Sequence, residues 1–261
     1  MLILKSILFG ILQGLTEFIP VSSSGHLVIA RSLLCMEHPG ISSEIFVHTA
    51  TLVVILFAFR DRIASIAASV FRSGSRNRRR DLRLVSMLAA GSIPVAVVGL
   101  TWSAEVEGMF SSLRVVGGSL LITGTALFLT RFAREGRGGI RLWDALIIGM
   151  AQAAAVIPGI SRSGATISVA LILGLKREES AEFCFLLAVP AIAGATVFEI
   201  AHILSGSHQV SLVVCTVSFA AALLSGIVAI KVVLKTLRIR RFGDFSYYCW
   251  VVGLIVTYVM W

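Results

Sequence analysis

Long apolar runs, separated by short polar or charged connections, set the pattern of this chain. Six runs can cross a bilayer as helices: 44–59, 84–102, 113–131, 180–203, 210–231 and 246–261. At ~1.5 Å per residue, about 20 residues cross a hydrocarbon core of ~30 Å. Two further regions break midway. Residues 2–19 are apolar, then Pro20-Val21-Ser22-Ser23-Ser24-Gly25 interrupts, and a short apolar stretch ends at Cys35-Met36-Glu37. Residues 141–157 are apolar, then Pro158-Gly159-Ile160-Ser161-Arg162-Ser163-Gly164 interrupts, and a short stretch ends at Lys176. A helix of about ten to twelve residues reaches half a membrane. Non-helical backbone at that depth survives only inside protein or against a wet cavity. Both regions therefore predict re-entrant helix–loop–helix hairpins. No run alternates with period two, as a transmembrane barrel would require. The expected fold is an all-α polytopic membrane protein, residues 1–261 forming one membrane-embedded domain.

Composition agrees: 57% of the 261 residues are hydrophobic and 14% charged, against about 25% charged in soluble domains. That excludes an ordinary soluble globule and a disordered chain. The net charge of +9 suggests nucleic acid until the charges are placed. One connection holds Arg60, Arg62, Arg72, Arg76, Arg78, Arg79, Arg80 and Arg83; others hold Arg131 to Arg141, Lys176-Arg177, and Lys231 to Arg241. Clusters at helix ends follow the positive-inside pattern and attract anionic membrane lipids. No base-reading aromatic element accompanies them, so no nucleic-acid partner is expected. Cys35, Cys184, Cys215 and Cys249 form no CxxC pair and read as free, packed thiols. The first apolar run carries Gln13 and Glu17 and leads into a motif, so it does not read as a cleaved leader.

With the basic clusters inside, the spans alternate consistently. The first hairpin then enters and leaves from outside, the second from inside, and both termini lie outside. The hairpins also match in sequence. Under one constant offset, Gly10, Gln13, Ser22, Ser24 and Gly25 fall on Gly149, Gln152, Ser161, Ser163 and Gly164. This predicts an inverted-topology repeat of about 1–130 and 140–261, with a polar site where the halves meet near the midplane.

Glu17 lies within an apolar run, where a carboxylate costs about 2.5–3.5 kcal/mol on insertion scales and calls for a reason. Gln13 shares its helix face, and Gly10 and Gly14 suit close helix packing. Ser22, Ser23, Ser24, Gly25 and His26 follow the break; N-capping alone explains one or two of these serines. The second break brings Arg162 between Ser161 and Ser163, ahead of Gly164. A guanidinium keeps its charge and matches phosphate oxygens. Each break opens a helix, whose first amides and dipole favour an anion. Together these features point to a phosphorylated head group whose apolar tail stays in lipid. A structural Glu17–Arg162 pair joining the hairpins is compatible with that reading.

Gln13-Gly-Leu-Thr-Glu17, Pro20-Val-Ser-Ser-Ser-Gly-His26 and Pro158-Gly-Ile-Ser-Arg-Ser-Gly-Ala165 closely resemble the integral-membrane undecaprenyl-diphosphate phosphatase family of bacteria, the bacitracin-resistance type. The resemblance runs over essentially the whole chain. It implies hydrolysis of undecaprenyl diphosphate to undecaprenyl phosphate and inorganic phosphate, recycling the carrier lipid for peptidoglycan synthesis. It further implies the bacterial inner membrane, a pocket open to the periplasm, and a homodimer. His48 stands where many members carry Gln, and is counted with the substrate-binding candidates Gln13, Ser24, Gly25, Ser161, Ser163 and Gly164.

The expected catalytic set is Glu17, Ser22, Ser23, His26 and Arg162. Arg162 and the helix-start amides would hold the diphosphate. Ser23, or Ser22, would attack phosphorus, with His26 and Glu17 handling protons. A nucleophilic His26 and direct attack by water are rival assignments. A divalent cation, Mg²⁺ or Ca²⁺, could bridge Gln13, Glu17 and substrate phosphates. The competing class is a secondary transporter or lipid flippase, which shares inverted repeats and broken helices.

Overall fold

The computed structural model describes residues 2–34, 41–71, 78–134, 136–205 and 211–259. Cys35, Arg72, Arg76 and Trp261 lie outside them. The described residues form helices joined by short connections: α1 Leu2–Phe18, α2 Ser23–Leu34, α3 Ile41–Ala58, α4 Arg60–Phe71, α5 Arg78–Thr101, α6 Ser103–Met109, α7 Leu113–Leu129, α8 Leu142–Ala154, α9 Arg162–Ile172, α10 Arg177–Ser205, α11 Leu212–Arg238 and α12 Phe245–Val259. An isolated bridge, Arg137 to Leu175, is the sole β pairing among them.

Five stretches are long and apolar enough to cross a membrane: Arg78–Thr101, Leu113–Phe132, Arg177–Val197, Leu212–Arg238 and Phe242–Val259. This is a multi-pass membrane protein. The expected span at 44–59 corresponds to α3, whose described apolar part, Phe46–Ala58, is shorter. The expected hairpins correspond to α1–α2 and α8–α9. Two helices were not expected. The Arg60–Arg83 connection contains α4, whose Ile63, Ile66, Ala67 and Val70 recur at helical spacing. The acidic loop at Glu105 and Glu107 contains α6.

Helix pairing is crosswise. α1 lies along α11, α8 along α5, α7 along α12, and α3 touches both α10 and α11. Small residues permit the tightest approach. A Cβ on Gly14 would sit 2.9 Å from the Gly226 nitrogen and would also collide with Ala222 and Ser225, so α1 and α11 meet backbone to backbone. The main apolar core gathers Phe18, Ile55, Ile148, Ile167, Phe183 and Val233. Leu100, Leu212, Leu224 and Ile255 instead point outward, as side chains facing acyl chains do.

Ion pairs fasten the basic end. Arg62 on α4 bonds Asp81 on α5 at 2.8 Å and Glu182 on α10 at 2.7 Å. Burial alone would lower the Arg62 pKa, but these two carboxylates outweigh it and raise it. Glu182 is thus a tie between helices. Arg137 pairs with Asp144, which also accepts the Arg141 amide at 2.8 Å and starts α8. The described cysteines Cys184, Cys215 and Cys249 are free and buried.

Candidate active site

The two breaks meet at the centre of the crosswise packing. Pro20 ends α1, lacking an amide to continue it. The chain turns sharply, with the Val21 amide 2.7 Å from the Ile19 carbonyl, and Ser22 adopts φ 70°. A serine there is strained, a feature that clusters at functional sites. Ser22 Oγ then accepts the Gly25 amide at 3.2 Å and lies 3.2 Å from Ser24 Oγ. The second break repeats this arrangement. Ser161 Oγ accepts the Gly164 amide at 3.1 Å and lies 3.3 Å from Ser163 Oγ. These caps satisfy Gly25 and Gly164, leaving the amides of Ser23, Ser24, Arg162 and Ser163 without intrahelical acceptors.

The breaks interlock. A Cβ on Gly25 would lie 3.0 Å from Gly159 Cα, and a Cβ on Gly164 3.3 Å from Pro20 Cβ. Gly159, at φ +96°, makes the turn that permits this contact. Ser163 Oγ donates to the Phe18 carbonyl at 3.0 Å, and the Ser161 amide donates to Thr123 Oγ1 at 3.1 Å. Thr123, on α7, is a support the sequence reading missed.

Glu17 occupies the junction. Its Oε2 accepts Ser23 Oγ at 2.6 Å and Gln13 Nε2 at 3.0 Å. Its Oε1 lies 3.6 Å from Arg162 Nη1, so the carboxylate beside the first break meets the guanidinium of the second. That nitrogen is buried and has no hydrogen-bond partner among the described residues; Gln13 Oε1 is in the same condition. His48 lies within electrostatic reach of Glu17. Beside the pair runs a small cleft walled by Ile55, Ile167, Cys184, Phe185 and Ile192, a low-dielectric setting that strengthens charge interactions. The described residues include no cluster of three His, Cys, Asp or Glu side chains that could hold a metal.

His26 is turned elsewhere. Nδ1 lies 2.8 Å from the Ser22 carbonyl and Nε2 lies 2.7 Å from the Tyr248 hydroxyl. The carbonyl can only accept, so Nδ1 carries the hydrogen, and in the neutral ring Tyr248 donates to Nε2. The two rings stack with centroids 5.6 Å apart. Tyr248 comes from α12, and no spacing signal in the sequence links it to the first break. Of the other conspicuous residues, the side chains of Glu44, Glu199 and His202 lie outside the described residues, while Trp102 and Trp143 are exposed.

The arrangement, then, is a hydroxyl hydrogen-bonded to a carboxylate, beside a guanidinium with an unused donor, at two capped helix starts. Such a set can bind an anion and deliver an alkoxide to it. The chain is 40% identical to a protein named undecaprenyl-diphosphatase from Desulforapulum autotrophicum, over 96% of each chain. It is 38% identical to one of the same name from Korarchaeum cryptofilum, over 97% of this chain and 98% of the relative. A third, from Syntrophotalea carbinolica, is 39% identical over 96% of each. Residues 6–255 match the family described as bacitracin resistance protein BacA, and the chain belongs to that family.

Proposed function

We propose that this protein hydrolyses undecaprenyl diphosphate to undecaprenyl phosphate and inorganic phosphate, recycling the carrier lipid for cell-wall synthesis and so conferring bacitracin resistance. The observation that carries this reading is the buried Arg162 Nη1, which makes no hydrogen bond among the described residues, 3.6 Å from a Glu17 already hydrogen-bonded to Ser23. A buried guanidinium donor without an acceptor favours an anionic ligand.

The geometry supports Ser23 as nucleophile. Its Oγ attacks the terminal phosphorus while its proton passes to Glu17 Oε2, 2.6 Å away. The bond from that phosphorus to the bridging oxygen breaks, undecaprenyl phosphate leaves, and water then releases phosphate from the serine. Arg162 Nη1 and the first-turn amides stabilise the transferring group. Ser22 is the weaker candidate, because its Oγ serves as a cap. His26 is also weaker, because both ring nitrogens are engaged; its role is to hold the Ser22 turn. Ser24, Gly25, Ser161, Ser163, Gly164 and His48 complete the binding surface. A divalent cation fits the unpartnered Gln13 Oε1 together with Glu17 Oε1. When bound, it would neutralise diphosphate charge.

The finer architecture belongs to the same reading: six spans, two re-entrant hairpins from opposite faces, an inverted repeat, termini outside, a pocket open to the periplasm of the inner membrane, and a homodimer. Reciprocal contacts support the repeat. Gly25 meets Gly159 as Gly164 meets Pro20, and these pairs are related by the offset that aligns the hairpins. The flippase or transporter alternative asks only for a path and gives the Ser23–Glu17 hydrogen bond no task.

The test is phosphate release from an isoprenyl diphosphate by the purified chain in detergent, where no second compartment exists. Wild type should turn over, and Arg162→Ala and Glu17→Ala should not. Release that persists undiminished in both variants overturns the proposal.

A further inference from the structure

A second concavity, of about 460 Å³, opens at the Arg-rich end of the molecule. It shares no residue with the Glu17–Arg162 cleft. Arg62, Arg79, Arg80 and Arg83 line it, with Glu179 and Glu182. Glu182 is neutralised by Arg62 at 2.7 Å, while Glu179 accepts the Gly139 amide at 2.7 Å and keeps its charge, so the four arginines outnumber the two acids. The Arg62 charge is balanced by Asp81 and Glu182. Arg80 has Asp81 as an electrostatic neighbour. Arg79 and Arg83 are exposed and make no ion pair among the described residues. They stand four residues apart on α5, so two like charges share one helix face and repel.

The floor of this concavity is apolar. Leu84, Met87 and Phe183 face it, and Phe183 is otherwise fully buried. The positive-inside tendency requires basic residues near a span end. It does not require that they converge over an apolar floor in excess of the local acids. That combination suits an amphiphile: a charged head against the guanidinia and carbon chain against Leu84 and Met87. It opens at the start of α5, a helix long and apolar enough to cross a membrane, and basic residues at the ends of such helices face lipid head groups.

We propose that this cavity binds a phosphate group, that of an anionic phospholipid or a free phosphate ion, through Arg79 and Arg83. The site is independent of the phosphatase reading. The test measures binding to the full chain in mixed micelles. One arm uses phosphatidylglycerol, with phosphatidylcholine as the zwitterionic comparison; the other uses inorganic phosphate alone. Arg79→Gln and Arg83→Gln are compared singly with Arg78→Gln, which removes the same charge from the same helix outside the cavity. Each cavity variant should weaken phosphatidylglycerol binding about fivefold, with Arg78→Gln within about twofold of wild type. All three should keep the wild-type melting temperature, because these arginines are exposed. The same variant dependence for inorganic phosphate without lipid binding would assign the site to the free ion. Equal losses in Arg78→Gln and the cavity variants, or no binding of either probe, would overturn the proposal.

Discussion

His26 Nε2 lies 2.7 Å from the hydroxyl of Tyr248, 222 positions further along the chain. The Ser22 carbonyl, which can only accept, sets the tautomer at Nδ1, and the tyrosine hydroxyl then fixes the rotation of the ring. The ring in turn steadies the left-handed Ser22 turn from which Ser23 projects. Tyr248→Phe keeps the stacked ring and removes the donor. It should lower kcat about tenfold with KM little changed, since the loss falls on nucleophile placement rather than lipid binding. Steady-state phosphate release at varied substrate checks this, and a change confined to KM would contradict it.

Ser23 and Glu17 act as a unit if the 2.6 Å hydrogen bond is the proton path. Ser23→Ala and Glu17→Gln should each cost about a thousandfold or more in kcat, and the double variant little beyond the worse single one. Losses that multiply would mean the two residues serve separate steps.

Arg162 offers a planar fork, and Lys offers a point charge. Arg162→Lys should therefore recover little of the activity lost in Arg162→Ala, about tenfold at most. Full recovery would reduce the role of Arg162 to its charge alone.

Much of this site was legible in the sequence because burial makes polar residues conspicuous. A carboxylate at Glu17 and a guanidinium at Arg162 within apolar runs demand partners, and they are each other's neighbours. The serine–glycine breaks were legible because capping needs those residue types. Tyr248 and Thr123 were not, since a lone tyrosine or threonine in an apolar helix is unremarkable and only tertiary packing brings it to the breaks. α4 reads as connection because the arginines that open it and follow it obscure a short apolar stripe. The Glu182–Arg62 tie is not legible either, because the two residues are 120 positions apart.

Interlocking of the breaks gives a steric prediction. An added methyl at Gly25 would come 3.0 Å from Gly159 Cα and 3.3 Å from its nitrogen. Backbone cannot swing aside as a side chain can, so the hairpins must part. Gly25→Ala should keep the helical content and remove most of the activity, whereas Gly99→Ala, where a Cβ meets nothing within 4 Å, should be neutral. Circular dichroism beside phosphate release distinguishes local parting from unfolding.

Asp144 gives a prediction about acid. The Arg137 guanidinium, with the Arg141 amide, holds its carboxyl below the ordinary value of 3.8 despite burial. A carboxyl whose pKa is lower folded than unfolded adds stability above the unfolded value. That stability drains away as pH falls through the folded value. Asp144→Asn keeps the shape but loses the ion pair, so it should lower stability by about 2 kcal/mol at pH 7. The gap from wild type should close as the buffer is taken below about pH 4. Melting curves in detergent across that range check the sign. A gap of constant size would mean that Asp144 stabilises α8 by shape and capping rather than by its charge.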